Sequence, residues 1–361
     1  MEITYNNNIL SKSQSEIRNS IAAKVLEKEI QKKESNQMKD FNFMSASLSR
    51  FMPQVPREDH WDIYIKIITT MRLREFDLTD LHKISNKLST TKENALFKQV
   101  DQPKIYITCH LGFCKASISL LILNGVKNIA LVVDESTYKN QASTILAINE
   151  KFKNAFGLDN ELKVINVEKS NTALEMMQLI KNGFSLFAYI DGNSGYKGVY
   201  NKEKTIEIPF LSSTISSRTG LSKIAYFMNV PIVPFVAYYS ENGMVPHIKF
   251  FDQIKKDKTK EMEAFTEDTT KKLYEFFEHY IEKFYDQWES WFYIHKYLPK
   301  EILAAENISL NVNSLTKVDF KKGTYSVFKI DEDHYLFNRI SFTVFPISQD
   351  NFKTFISFQN A

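Results

Sequence analysis

The sequence predicts an α/β fold in which a mostly parallel sheet is flanked by helices. From Lys104 onward, short apolar runs rich in β-branched residues alternate with segments of helical periodicity, the pattern of βαβ units. Residues 1–100 show amphipathic helical patterns and no convincing strand, and the chain turns strand-rich from about Ile308. We therefore expect an N-terminal helical cap at 1–100, an α/β core at 101–300 and a small β-rich extension at 301–361.

Composition limits the classes of function. The 361 residues can bury one large core with one or two appendages, and 46 basic against 43 acidic residues give a net charge of +3, which does not indicate a nucleic-acid partner. Two cysteines five positions apart fit neither a disulfide scaffold nor a metal site, so we expect a reducing, cytoplasmic compartment. No apolar run approaches the roughly 18 residues of a membrane span, and none is expected.

Apolar runs and periodic segments predict the elements of the core. Strands are expected at 104–109, 129–133, 163–167, 185–190 and 231–237. Helices are expected between them at 111–123, 141–156, 173–181 and 217–227, with Asn171-Thr172 as an N-terminal cap.

Other segments are predicted to pack around this core. Helical periodicity favours helices at 16–33 and 61–71 in the cap, and a long helix after Thr259 whose aromatic stripe reads as core packing. The runs 325–330 and 335–345 read as a hairpin. Because a lone hairpin is not stable, it must pack against the main body or against a partner.

Polar residues follow three of the expected strands. In a parallel sheet, ligands bind outside the carboxyl ends of the strands, where His110, Asp134 and Asp191 fall. A histidine there can act as a general base near neutral pH. Gly112 allows a close turn after it, and Asp191 starts a polar loop on the same rim.

The order of the motifs resembles the bacterial lipid A biosynthesis acyltransferase branch of the glycerolipid acyltransferase superfamily. His110 is followed by Tyr189-Ile-Asp191-Gly192, by a segment from Gly198 to Phe210-Leu211, and by Gly220 to Ala225 leading into Pro231-Ile-Val-Pro-Phe235. The segment from Gln287-Trp288 to His295-Lys296 looks like the one that closes the family's core. The likeness spans about residues 100–298, and it implies a glycerolipid acyltransferase-like fold that moves an acyl group from a thioester to a hydroxyl or amine, with His110 as base.

The resemblance also implies a donor and its contacts. The donor would be a thioester of acyl carrier protein or coenzyme A, a co-substrate, with no cofactor. The basic cluster at 255–260 could dock an acidic carrier. Lipid A enzymes typically begin with a membrane anchor, and its absence here favours a soluble or carrier-bound acceptor, although peripheral membrane contact stays open. The expected substrate contacts are Lys115, Gly192, Asn193, Lys197, Phe210 and Arg218.

One position departs from the family. Where the relatives carry the acid that orients the histidine, this chain has Lys115, which would lower the pKa of His110 and cannot accept its N–H. Three hypotheses remain open. In the first, another carboxylate, Asp191 or Asp134, or a backbone carbonyl orients His110. In the second, Cys109 or Cys114 acts as a nucleophile beside His110. In the third, the fold is catalytically degenerate and binds a carrier or acyl chain as an assembly subunit, with the strands at 325–345 as the surface that contacts the partner.

Overall fold

A computed structural model describes residues 2–4, 12–79, 102–201, 204–240, 245–299, 301–302 and 312–359. Residues 80–100 of the expected cap lie outside the described residues. So do residues 308–311, where the strand-rich part was expected to start. The chain forms two compact units from discontinuous stretches, so the expected division at residues 100 and 300 stays a prediction. The sheet unit comprises Met1–Glu16, Thr70–Ile208 and Ser216–Glu289, and the second unit Ile17–Thr69, Pro209–Ile215 and Ser290–Ala361.

The sheet unit is built on a seven-stranded sheet, and the α/β class is confirmed. In chain order its strands are β1 (Glu2–Thr4), β2 (Ile105–Thr108), β3 (Asn128–Val133), β4 (Glu161–Asn166), β5 (Ser185–Tyr189), β8 (Ile232–Ser240) and β9 (Val245–Phe250). The spatial order is β1-β9-β8-β2-β5-β3-β4. The five strands from β8 to β4 are parallel, whereas β9 and β1 join antiparallel. Strand β1 lies in the segment expected to contain no strand, so that expectation is wrong.

The central strands are apolar because both faces of the sheet are covered. Every residue of β2 is buried, as are the first eight of β8, which is the pattern of a parallel strand between helical layers. Phe187 and Phe235 pack at 5.9 Å between ring centroids within this core. The buried layer fixes the register of the strands and thereby the positions of the residues that follow them.

The helices agree with the expected periodicity except at some ends. They are α1 (Lys12–Glu34), α2 (Lys39–Phe51), α3 (His60–Thr79), α4 (Ser117–Leu123), α5 (Glu135–Phe156), α6 (Thr172–Lys181), α7 (Gly220–Met228), α8 (Met262–Lys283), α9 (Lys317–Lys321) and α10 (Gln349–Gln359). No helix among the described residues is long and apolar enough to cross a membrane.

Three expected helix starts and one expected cap differ from the structure; among the starts, the helix expected from residue 141 begins at Glu135. The helix expected from residue 217 begins at Gly220, because the preceding residues form β7 (Ser213–Arg218), paired with β6 (Thr205–Phe210). The helix expected from 111 is regular only from Ser117, after a 3-10 turn at Cys114–Ala116. At the start of α6, Asn171 occupies the cap position without a capping hydrogen bond from its side chain.

The C-terminal part of the aromatic stripe is not a continuation of α8. The helix ends at Lys283, and Trp291 and Phe292 lie in a 3-10 turn at Glu289–Phe292. Trp288 and Trp291 are nevertheless buried, so their assignment to the core is confirmed. Because the chain leaves the helix before Trp288, the peptide carbonyl group of Gln287 can accept a hydrogen bond from backbone outside the helix.

The C-terminal residues form three strands instead of a two-stranded hairpin. They are β10 (Tyr325–Ile330), β11 (Asp333–Asn338) and β12 (Thr343–Pro346), antiparallel in that order. The expected run at 335–345 is broken by a turn that contains Phe342 with φ +57°. An apolar core of its own, with Phe320, Leu336 and Phe355, lies in this part of the second unit.

A turn at Gly112 follows β2 and sets the path of the chain past His110. Gly112 has φ +46°, a left-handed conformation, and a Cβ there would lie 2.6 Å from Cα of Tyr238 and 2.9 Å from Oε1 of Gln287. Its N–H donates to the carbonyl oxygen of Gln287 at 3.2 Å. Only a residue without a side chain fits this close approach of backbones.

We predict that Gly112→Ala lowers the free energy of unfolding by about 3 kcal/mol or more, because steric overlap adds to the conformational cost of a left-handed residue. Gly157→Ala is the matched control, since Gly157 has φ +62° and nothing within 4 Å of its Cβ position; it should cost only about 1 kcal/mol. Urea unfolding measures both. Equal losses in the two variants would show that the close contact at Gly112 is unimportant.

Candidate active site

His110 and Asp191 meet at the carboxyl edge of the sheet. They follow β2 and β5, which are parallel neighbours paired from Ile105–Leu186 to Thr108–Tyr189. Nδ1 of His110 lies 2.8 Å from Oδ1 of Asp191, and the backbone N–H of His110 donates to Oδ2 at 2.9 Å. One carboxylate therefore fixes both the main chain and the ring of the histidine.

Trp288 supplies a further donor to the same carboxylate. Its Nε1–H donates to Oδ2 of Asp191 at 2.8 Å, and the Asp191 residue is only 3% exposed. A buried carboxylate that accepts several N–H hydrogen bonds is stabilised in its ionised form. Asp191 is thus built to remain an anion beside His110.

The chain around Trp288 is held by backbone contacts on both sides. The side-chain amide of Gln287 accepts from the backbone N–H of Tyr239 at 2.9 Å and donates to its carbonyl oxygen at 2.8 Å. The backbone N–H of Glu289 donates to the carbonyl oxygen of His110 at 3.1 Å. This segment therefore joins the end of β2 to β8 and orients the indole toward Asp191.

The surroundings of His110 determine its protonation. Burial by itself would lower the pKa of His110, but the Asp191 carboxylate and its hydrogen bond outweigh burial and raise the pKa above the usual 6.5. The ring stacks on Tyr189 with centroids 4.1 Å apart, and the side chain is 23% exposed. Because Asp191 accepts the hydrogen on Nδ1, the neutral ring keeps the lone pair of Nε2 for chemistry.

A second charged pair lies beside the histidine. Arg74, only 2% exposed, pairs with the Glu289 carboxylate, and its Nη1 is 3.6 Å from Sγ of Cys114. Burial opposes ionisation of Glu289, but the charges of Arg74 and His110 lower the pKa of its carboxyl. Glu289 in turn adds to the rise in the pKa of His110, and Arg74 partly offsets it.

Lys115 takes part in a different interaction. Its Nζ lies 3.7 Å from Oε1 of Glu75, and both side chains are more than one-third exposed. Exposed pairs of this kind contribute little to stability. The cation in the family's acid position thus pairs at the surface, and a substrate contact for Lys115 stays a prediction.

The two cysteines lie next to the site but lack the character of nucleophiles. Cys109 and Cys114 are free and fully buried. Burial raises the pKa of Cys109 well above its usual value and that of Cys114 to about 11, the latter despite the charge of Arg74. Since the thiolate is the reactive form, these environments disfavour the second hypothesis.

Asp134 has a structural task away from His110. It is the N-cap of α5, and its Oδ1 accepts the backbone N–H of Thr137 at 2.6 Å. Of the two aspartates considered for orienting His110, the structure therefore brings only Asp191 to it.

The polar loop after Asp191 is largely occupied by internal contacts. Asn193 donates from Nδ2 to the carbonyl oxygen of Ser216 at 2.6 Å and accepts the backbone N–H of Arg218 at 2.9 Å. Gly192, half-buried, ends the 3-10 turn Ile190–Gly192 that carries Asp191. Substrate contacts for Gly192 and Asn193 remain predictions, while Asn193 visibly ties the loop to β7.

Arg218, Lys197 and Phe210 occupy three different settings. The guanidinium of Arg218 donates to the carbonyl oxygens of Gly198 and Asn201 at 2.8 and 2.6 Å, which braces the loop. Lys197 is exposed, with φ +62°. Phe210 is buried in the second unit against Phe51, with centroids 6.3 Å apart. Their expected roles in substrate binding are not tested by these contacts.

Sequence reasoning missed two residues and one role. Trp288 stood out as part of a signature, but its hydrogen bond to Asp191 had no signal in the sequence. Arg74 and Glu289 pair across 215 positions; Arg74 belongs to no recognised motif, and Glu289 lies within the signature segment without a role expected for it. Among the described residues, no group of three or more His, Cys, Asp or Glu side chains could hold a metal ion.

A histidine in contact with a carboxylate at the carboxyl edge of an α/β sheet forms a site equipped for acid–base chemistry. Residues 168–300 match the family model of the bacterial lipid A biosynthesis acyltransferases. This match confirms the resemblance over that segment and supports acyl transfer as the class of activity. The segment includes Asp191, Arg218 and Trp288, whereas His110 precedes it. No curated protein matched the chain.

We predict that the pKa of His110 lies above 6.5 in the native protein and falls below 6.5 in Asp191→Asn, because burial, the largest effect, then outweighs the remaining contribution of Glu289. Titration of the imidazole by NMR measures both values. Asp134→Asn, the same change at the end of a neighbouring strand, should leave the pKa of His110 unchanged. An equal pKa in the wild type and Asp191→Asn would contradict the coupling.

Proposed function

We propose that the chain transfers an acyl group from a thioester donor to a hydroxyl or amine acceptor, with His110 as general base. The observation that carries this proposal is the contact of 2.8 Å between Nδ1 of His110 and Asp191 on a 23% exposed histidine. It supplies the orienting acid that the sequence lacks at Lys115. Residues 168–300, which contain Asp191, match an acyltransferase family.

The chemistry follows from Nε2, the ring nitrogen that does not face Asp191. Nε2 of His110 removes the proton from the acceptor hydroxyl or amine while its oxygen or nitrogen attacks the thioester carbonyl carbon. Collapse of the tetrahedral intermediate breaks the C–S bond, and the leaving thiolate takes the proton back from the imidazolium. The products are an ester or amide and a free thiol.

The neighbouring residues prepare the base and do not react. Asp191 holds the Nδ1–H tautomer and stabilises the imidazolium that forms, and Trp288 holds Asp191. Because Asp191 raises the pKa of His110, the base is available only as the pH rises through that pKa. Activity should therefore fall on the acid side of a value above 6.5.

The donor and the acceptor belong to the proposal. Acyl carrier protein or coenzyme A would supply the thioester, with Lys197 and Arg218 near the phosphopantetheine arm and the cluster at 255–260 facing an acidic carrier. Lys255 and Lys258 are exposed, whereas Nζ of Lys256 lies 3.7 Å from the ring centroid of Tyr226 and Lys260 pairs with Asp268 at 2.5 Å. A soluble or carrier-bound acceptor and a cytoplasmic location complete the proposal, and the two free thiols agree with a reducing compartment.

The alternative, a degenerate fold that serves as an assembly subunit, receives less support. It requires an open strand edge at 325–345 for a partner. On β10, however, the N–H of Val327 donates to Oε1 of Gln359 at 2.9 Å and that of Lys329 to the carbonyl oxygen of Asn36 at 2.8 Å. Because these two N–H groups already donate to acceptors within the chain, fewer groups of the β10 edge can pair with an added strand.

We predict that His110→Gln reduces acyl transfer by about 100-fold to 10,000-fold, the usual contribution of a general base. Thiol release from acyl carrier protein and coenzyme A loaded with chains of different length, in the presence of candidate alcohols and amines, measures the rate. Mass spectrometry identifies the acylated product.

His279→Gln is the matched control, since His279 is exposed on α8, and it should remain fully active. A fully active His110→Gln would refute the role of the base. If no donor is consumed by the wild type while loaded carrier protein binds to it, the assembly-subunit alternative replaces the enzyme.

A further inference from the structure

The second unit gathers arginines at one turn. The chain is rich in lysine and has only seven arginines among its 46 basic residues. Three of the seven, Arg50, Arg57 and Arg339, reach the turn after β11 and the start of β10, and we call them the arginine cluster. Nη1 of Arg50 lies 3.5 Å from the carbonyl oxygen of Ile340. The backbone N–H of Arg339 donates to the carbonyl oxygen of Thr324 at 2.9 Å. A side chain on Gly323 would overlap Nη1 of Arg57.

Arg339 is buried without an acid. It is 6% exposed, and its Nη2 donates to Oγ of Ser45 at 2.9 Å. Ser45 in turn lies 2.7 Å from Nδ1 of His60. Burial, and then the charge of Arg339, lower the pKa of His60 to about 4, so the ring is neutral at pH 7 and accepts the hydroxyl hydrogen. This chain of hydrogen bonds contains no negative charge.

The positive charges of Arg57 and Arg339 are not compensated by a carboxylate within the part of the chain that the structure describes. No carboxylate there forms an ion pair with Arg57 or Arg339. Burial and the neighbouring Arg57 lower the pKa of Arg339 to about 9. Arg74, the buried arginine of the sheet unit, has Glu289 as its partner, which shows what Arg339 lacks. A buried cation without a counter-ion is costly, and a bound anion removes that cost.

We propose that Arg57 and Arg339, with Arg50 at the edge, form a binding site for a phosphate group in the second unit. Guanidinium groups match the oxygens of a phosphate with pairs of N–H donors, which lysine cannot do, and this explains three arginines at one turn in a lysine-rich chain. The site goes beyond the acyl-transfer chemistry and does not depend on it.

Binding of inorganic phosphate to the full chain tests the site by isothermal titration calorimetry at constant ionic strength. The wild type should bind phosphate, and Arg57→Gln and Arg339→Gln should weaken binding at least tenfold. Arg57→Lys should also weaken it, because the charge remains but the paired donors are lost. Arg72→Gln is the control, since Arg72 is exposed and pairs with Glu75 on α3, and its affinity should equal that of the wild type.

If Arg339→Gln does not fold, the two Arg57 variants decide the question, because that side chain is exposed. Equal phosphate affinity in Arg57→Gln, Arg57→Lys and Arg72→Gln would overturn the proposal, as would a wild type that does not bind phosphate. Coenzyme A and pantetheine then identify the source as competitors. Displacement by coenzyme A alone indicates a phosphate ester, and displacement by neither indicates free phosphate. Displacement by pantetheine, which has no phosphate, would contradict phosphate recognition.

Discussion

The carboxylate of Asp191 is the interaction on which the site depends. It accepts hydrogen bonds from the backbone and the ring of His110 and from the indole of Trp288, which come from segments far apart in the chain. Parallel pairing of β2 and β5 puts the aspartate and the histidine at the same edge. Burial makes these hydrogen bonds strong and makes their loss expensive, because each donor would be left without its acceptor. The position and tautomer of His110 therefore follow from one side chain, which also makes the largest contribution to the rise in its pKa.

The electrostatics around His110 explain how the chain tolerates a lysine at position 115. Lys115 pairs with Glu75 at the surface, while the Arg74–Glu289 pair lies at the site. Glu289 adds to the effect of Asp191 on the histidine, and the guanidinium of Arg74 keeps Glu289 ionised despite its burial. Under the proposed function, Asp191 at the end of another strand, eighty-one residues away, takes the place of the acid that the family resembled by this chain carries near its histidine.

The sequence predicted the parts of the fold that depend on local patterns. Apolar runs identified the five parallel strands, and the rule for strand ends placed His110 and Asp191 on one edge. The end of α8 at Lys283 and the strand β7 were not predicted, because tertiary pairing overrides helical periodicity there. Neither the contact from Trp288 to Asp191 nor the pair of Arg74 and Glu289 leaves a local signal, since each depends on how distant segments pack.

The tautomer of His110 tests the central claim most directly. Nitrogen-15 NMR of the imidazole, recorded at a pH above its pKa, shows which ring nitrogen carries the hydrogen. The hydrogen bond to Asp191 predicts a protonated Nδ1 and an unprotonated Nε2, the form that can remove a proton from an acceptor. A hydrogen found on Nε2 would contradict the account, because Asp191 would then have no N–H to accept from the ring and Nε2 would have no lone pair with which to remove a proton.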